Sequence, residues 1–175
     1  MGLKQIILTI LGFSLLSFGV PNNLQKKVNK EITEVFELEN FNLTSVSIPA
    51  EIEETLPSRF GEDNFFKVES DENFIAYAYL SQATSKTALF DYLVLLDKDL
   101  VVIKTKILIY REEYGGEIGS KRWLKQFIGK THNDELKYGE DIVAISGATI
   151  SVRSFTEAMN DFLKSLKILH SKQVL

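Results

Sequence analysis

The chain has no cysteine among its 175 residues. That excludes disulfides, iron–sulfur clusters, c-type haem attachment and a lipid anchor on cysteine. Histidine is nearly as scarce. The two present, His132 and His170, are far apart in sequence, and each reads as a solvated surface residue, so no metal site is expected. Positive charge is also short: 20 Lys and Arg stand against 24 Asp and Glu, a formal net charge of -4. The basic pairs Lys26-Lys27 and Lys121-Arg122 are too brief to form a patch. A nucleic-acid binder needs clustered cations for phosphates, so no nucleic-acid partner is expected. Any redox chemistry here must rest on an organic cofactor.

Charge is missing altogether from Ile6 to Val20, just after Lys4. The run falls short of the roughly 20 apolar residues that span a bilayer. It fits the core of a signal peptide with a weak basic start. Ser17 and Gly19 are small residues two apart, which suggests cleavage after Gly19. The pattern is not A-x-A, so an uncleaved N-terminal anchor is the alternative, and a buried N-terminal element is a third reading. Export is therefore expected, to the periplasm or to the outer face of the inner membrane. Residues 1–19 are set apart as signal peptide or anchor.

What remains suits one α+β domain with an appendage. Residues 22–38 predict an amphipathic helix started by Pro21 and Asn22 or Asn23. Leu24, Val28, Ile32 and Val35 make its apolar face, and Lys26, Lys27, Lys30, Glu31 and Glu34 mostly fill the other side. A short strand is expected at Val46–Ile48, stopped by Pro49, with one helical turn before Pro57. Four strands are predicted at Phe65–Val68, Phe74–Leu80, Leu89–Leu96 and Val101–Tyr110, rich in aromatic and branched residues. Asp97-Lys98-Asp99 turns between the last two. In the fourth, Ile103, Thr105, Ile107 and Ile109 alternate with Lys104, Lys106 and Leu108, which predicts one covered and one wetter face of an antiparallel sheet.

After Tyr114-Gly115-Gly116, Ser120 can cap a short helix through Phe127 with Trp123 and Phe127 on one side. A polar loop leads to a short strand at Ile142–Ile145. Ser146-Gly147-Ala148-Thr149 follows, then a long helix whose Val152, Phe155, Met159, Phe162, Leu166 and Leu169 step by three and four. A strand, tight turn and helix put free N–H groups where an anion is attracted. The dipole contribution is only about 0.3–1 kcal/mol, enough to orient a phosphate but not to retain a cofactor. From residue chemistry alone, Ser146 or Thr149 also reads as an ordinary helix cap, although Thr149 is not the Glu or Gln that a capping box would need.

The run Ser146-Gly147-Ala148-Thr149, followed by Ile150-Ser151, resembles the SGAT signature of the FMN-binding domain family. That family includes the covalent-flavin subunits of sodium-pumping NADH:quinone reductase and of Rnf-type complexes, and small free-standing exported flavoproteins. The resemblance extends to Tyr110-Arg111-Glu112-Glu113-Tyr114-Gly115-Gly116-Glu117-Ile118 and to Trp123-Leu124-Lys125-Gln126-Phe127. It implies that Thr149 carries FMN as a phosphoester, made by an exported flavin transferase that uses magnesium and FAD. It implies a redox partner protein as well, which can be membrane-bound. The family usually has Asp three residues before the serine. Here Val143 holds that place, and the nearest acid is Asp141.

The resemblance offers Ser146, Gly147, Ala148 and Ser151 as the remaining walls of the cofactor site. Tyr110 and Trp123 are candidates to stack on the flavin ring, with core packing against Phe127 the other reading of Trp123. Arg153 either pairs with the FMN phosphate or is a surface arginine. Glu112, Glu113 and Glu117 read as acid–base groups or as a solvated turn with salt bridges. Gly115 and Gly116 read as a turn. No residue stands out as a catalytic acid, base or nucleophile.

The expected architecture is an antiparallel sheet flanked by helices, with a long C-terminal helix after the SGAT turn. Residues 20–68 form the helical and strand appendage, residues 69–170 the FMN-binding domain and residues 171–175 a tail. The expected function is electron transfer through covalent FMN. The rivals are an exported flavin-dependent reductase of a small molecule and a flavin-free adaptor that keeps the fold.

Overall fold

Leu89–Leu96 is apolar at nearly every position, and such a strand must be covered on both sides. The computed structural model describes residues 21–175 and bears this out. Five antiparallel strands form one sheet in the order β1-β2-β3-β4-β5, with β1 at Asn42–Ser45, β2 at Phe65–Ser70, β3 at Asn73–Thr84, β4 at Leu89–Leu96 and β5 at Val102–Ile109. The fold is α+β, as the sequence predicts. The proposed signal peptide or anchor, residues 1–19, lies outside the described residues. Among the described residues no helix is long and apolar enough to cross a membrane.

Alternation along the strands divides the interior in two. Phe65, Tyr77, Tyr79, Phe90 and Tyr92 face the C-terminal helix α4, Thr149–Ser171, whose Val152, Phe155, Met159, Phe162, Leu166 and Leu169 are fully buried against them. Phe155 meets the Tyr92 ring at 5.0 Å and the Phe127 ring at 4.9 Å, both edge to face. On the other side Phe66, Val68, Ala76, Ala78, Leu93 and Leu95 face helix α1, Asn22–Phe36, which inserts Val28 and Ile32. The short helices α2, Ala50–Glu53, and α3, Lys121–Leu124, complete the connections.

Five details differ from the sequence expectation. The first strand is Asn42–Ser45, not Val46–Ile48. It is an edge strand, polar except for Leu43, paired to β2, and Val46 continues it with one bond to the Phe65 carbonyl. Ile142–Ile145 is not a strand. Only Ile142 bridges, to Tyr138, and the Val143 backbone is satisfied by side chains: its N–H donates to Gln126 Oε1 at 2.7 Å and its carbonyl accepts from Trp123 Nε1 at 2.8 Å. Bulges in the β4–β5 ladder turn Ile103 and Ile109 to the α1 side while Ile107 stays on the α4 side. Finally, Glu31 is buried, with Oε1 2.7 Å from Lys106 Nζ and Oε2 3.7 Å from Lys104 Nζ. The face expected to be wetter is covered by α1 through this ion pair. The expected boundary at residues 68/69 falls inside β2, and β1 and β2 belong to the same sheet as the rest.

Candidate functional site

The start of α4 is made by a left-handed glycine. Gly147 has φ +80°, a conformation open to glycine at little cost. It reverses the chain so that Ala148 becomes the residue before the helix, with no side chain able to cap it. The first helical bond runs from Val152 N–H to the Ala148 carbonyl at 2.9 Å. The N–H groups of Thr149, Ile150 and Ser151 therefore lack helical acceptors. Neither Ser146 nor Thr149 caps the helix, so the ordinary-cap reading does not hold. Thr149 is the first helical residue, is exposed, and its hydroxyl has no hydrogen-bond partner among the described residues.

The upstream glycine turn comes up against this one. Gly115 also has a left-handed φ, +78°, and a Cβ there would lie 2.7 Å from the Ala148 Cβ and 3.2 Å from the Gly147 carbonyl oxygen. Gly115 is more than a turn residue, since its missing side chain lets the two turns touch. Gly116 has open space around it. Between β5 and Gly115, the Tyr110 hydroxyl shares a 2.9 Å hydrogen bond with the Ser151 hydroxyl. The Tyr110 ring packs edge to face on Phe90 at 5.7 Å.

A third segment completes the enclosure. The turn Ser85–Ala88 joins β3 to β4, and Glu112 holds it. The Glu112 carboxylate accepts from the Ser85 hydroxyl at 2.6 Å, from Thr87 N–H at 2.6 Å and from the Thr87 hydroxyl at 3.0 and 3.1 Å. These donors, Ser85 first and then Thr87, keep the Glu112 carboxyl below its ordinary pKa. Glu112 thus spends its carboxylate on hydrogen bonds to the turn and is in no ion pair among the described residues. Ser154 adds a further tie, accepting from Thr84 N–H at 2.9 Å. The result is a cleft of about 520 Å³ in which Thr149 faces Lys86, Tyr110, Glu112 and Tyr114. Lys86 was not singled out by any motif. Tyr114, 78% exposed, is the most open aromatic of the rim.

Other sequence candidates fall elsewhere. Trp123 is buried, bonded to the Val143 carbonyl and packed on Phe127 at 5.2 Å and Phe155 at 5.9 Å, so it is a core residue. Arg153 lies 4.7 Å over the Tyr138 ring, outside the lining of the cleft. Asp141 closes its own turn by accepting from Lys137 N–H at 3.0 Å, and Val143 is exposed. His132 and His170, distant in sequence, meet at 4.9 Å between ring centroids with their planes tilted by 33°, and His132 is half-buried rather than freely solvated.

A second cleft, of about 490 Å³, opens on the α1 side between Pro21, Leu24, Arg59 and Arg111. Its charges already answer one another: Arg59 pairs with Asp63 and Arg111 with the buried Asp91, each at 2.6 Å. The Thr149 cleft instead presents an unpartnered hydroxyl, uncapped N–H groups and a lysine that is in no ion pair among the described residues. These groups fit a phosphate with a planar ring system beside it.

Residues 90–164, from β4 through most of α4, match the family model of the FMN-binding domain. Among solved structures the chain is similar to NqrC of Shewanella oneidensis. The TM-score is 0.50 at 19% identity, over 75% of this chain and 70% of that one. At that identity the likeness concerns the fold. No curated protein matches the sequence.

Proposed function

We propose, from the match of residues 90–164 to the family model of the FMN-binding domain, that the protein is an exported electron carrier with FMN joined through its phosphate to the Thr149 hydroxyl. The observation that carries this reading is the exposed, unpartnered Thr149 hydroxyl at an uncapped helix start, inside a cleft made by three separate segments. The uncapped N–H groups of α4 orient a phosphate there, and the helix dipole favours its charge. Gly115 and Ala148 keep the approach to Thr149 narrow but free of side-chain bulk. Tyr110, pinned by Ser151, supplies an immobile aromatic edge, and Tyr114 a solvent-facing one.

When bound, the flavin supplies one- and two-electron redox chemistry, and the protein supplies position and polarity. Attachment comes from an exported flavin transferase acting on FAD. The Thr149 oxygen forms a bond to the flavin-side phosphorus, the pyrophosphate bond breaks, AMP leaves and the hydroxyl proton is released. A covalent bond matters outside the cytoplasm, because reversible occupancy needs free cofactor above its dissociation constant. The partly open cleft leaves the ring accessible to a redox partner protein.

The test is the intact mass of the chain expressed with its N-terminal segment in cells containing the transferase. The expected mass is that of the chain plus FMN less one water, and the addition is lost in Thr149→Ala. A mutant that keeps the addition would falsify the site. A wild-type chain of unmodified mass would make the protein a flavin-free adaptor, the outcome to which Val143 in place of the usual Asp points.

A further inference from the structure

Among the described residues, Lys86 is the one cation lining the Thr149 cleft, and it forms no ion pair there. It is the second residue of the turn Ser85–Ala88, which closes with Ser85 N–H on the Ala88 carbonyl at 2.8 Å. A long side chain on an exposed turn ordinarily sweeps a wide volume, and its charge is then spread and screened. Here the turn is anchored on both flanks. Ser154 holds Thr84, and Glu112 takes the Ser85 hydroxyl and both donors of Thr87. Glu112 spends its carboxylate on the turn, while the neighbouring Lys86 is left facing the cleft.

We propose that Glu112 is a positioning residue, which fixes this turn so that Lys86 stands over the cleft and favours the negative charge that a flavin gains on reduction. The inference rests on the proposed FMN site and extends it to a chosen redox state. Uptake of two electrons from a redox partner and one proton from solvent makes the cofactor one charge more negative. A lysine lining the same partly solvated cleft favours that state by about three- to tenfold in the reduced-to-oxidised ratio. Tenfold corresponds to about 30 mV for a two-electron couple. Tyr110 and Ser151, which are bonded to each other, add no charge, while the Glu112 carboxylate, which lines the same cleft, opposes Lys86 and is partly offset by the Ser85 and Thr87 donors it accepts.

The experiment compares the midpoint potential of the flavin-loaded wild type with Lys86→Gln, Lys86→Arg and the double variant Ser85→Ala/Thr87→Val. The double variant removes the side-chain ties to Glu112 without altering the number of charges, so a shift in it reports where the Lys86 and Glu112 charges stand. Lys86→Gln is expected to lower the potential by the stated three- to tenfold equivalent, and Lys86→Arg to preserve it. The double variant should fall in the same direction by less, with faster hydrogen exchange at the Thr87 amide. An unchanged potential in Lys86→Gln overturns the electrostatic role of the lysine. An unchanged potential in the double variant, with the Thr87 amide exchanging faster, overturns the positioning role of Glu112. Failure of the underlying FMN reading is seen separately, as a wild-type chain of unmodified mass.

Discussion

Replacing Gly115 by Ala should damage the molecule more than the same change at any glycine close to it. Two costs add at this position. Its φ of +78° is a left-handed conformation, which costs an alanine about 1–2 kcal/mol. The new methyl would also stand 2.7 Å from the Ala148 Cβ, so the helix start must move, and such overpacking costs about 1–3 kcal/mol. The sum is about 2–5 kcal/mol, a large share of the roughly 5–15 kcal/mol that holds a typical domain together. Gly147→Ala carries the conformational cost alone, since nothing lies within 4 Å of its added Cβ; about 1–2 kcal/mol is expected. Gly116→Ala carries neither and should be neutral or stabilising by about 0.4–1 kcal/mol. Urea unfolding followed by the fluorescence of Trp123, the sole tryptophan and bonded to the Val143 carbonyl near the site, ranks the three. The slope should stay constant while the midpoint moves. If Gly115→Ala proves no less stable than Gly147→Ala, the two turns are not in contact and the cleft is wrongly built.

Further expectations concern the core, the second face and acid stability. Phe155→Ala empties a fully buried site shared with Tyr92, Trp123 and Phe127 and should cost about 3–5 kcal/mol in the same urea assay. Tyr110→Phe removes only the bond to Ser151 and should cost about 0.5–1.5 kcal/mol. For Glu31 and Lys106, a double-mutant cycle should give a positive coupling, whereas uncoupled single mutants would mean that α1 is held by apolar contacts alone. Burial, followed by the charges of His170 and Lys167, holds the His132 pKa below its ordinary value of 6.5. The unfolded chain therefore takes up this proton first as pH drops. Stability is fully present above about pH 6.5 and is lost as pH falls through the lower folded value, and His132→Gln should flatten that part of the profile.

Much of the frame is legible in the residues because both periods are strong. Val152, Phe155, Met159, Phe162, Leu166 and Leu169 mark one helical stripe and all are buried. The aromatic and branched runs give β2 to β5 to within a few residues. β1 is hard to see in the residues because an edge strand of Asn42-Leu43-Thr44-Ser45 has little apolar pattern to show; its partner β2 defines it. A β-bulge breaks the period of two without any residue that announces it, so alternation alone puts Ile103 and Ile109 on the face opposite to the one they occupy. Glu31 looks like a surface acid until β5 brings Lys104 and Lys106 beneath it. At the site, Thr149 and the positive φ of Gly147 follow from a local motif. The contact of Gly115 with Ala148, the grip of Glu112 on Ser85 and Thr87, and the presence of Lys86 all join distant segments. No local pattern encodes them.

The walls of the Thr149 cleft are held to one another by bonds spanning 25 residues (Thr87 to Glu112), 41 residues (Tyr110 to Ser151) and 70 residues (Thr84 to Ser154). Each loop closure costs entropy, and the longest costs the most, by about 0.5–1 kcal/mol more than the others. A prosthetic group esterified to Thr149 would ride on the 23-residue helix, whose buried stripe makes it the firmest part of the enclosure. The lysine-bearing hairpin and the tyrosine strap could then breathe apart during an encounter without setting their cargo adrift, and close again upon it afterwards.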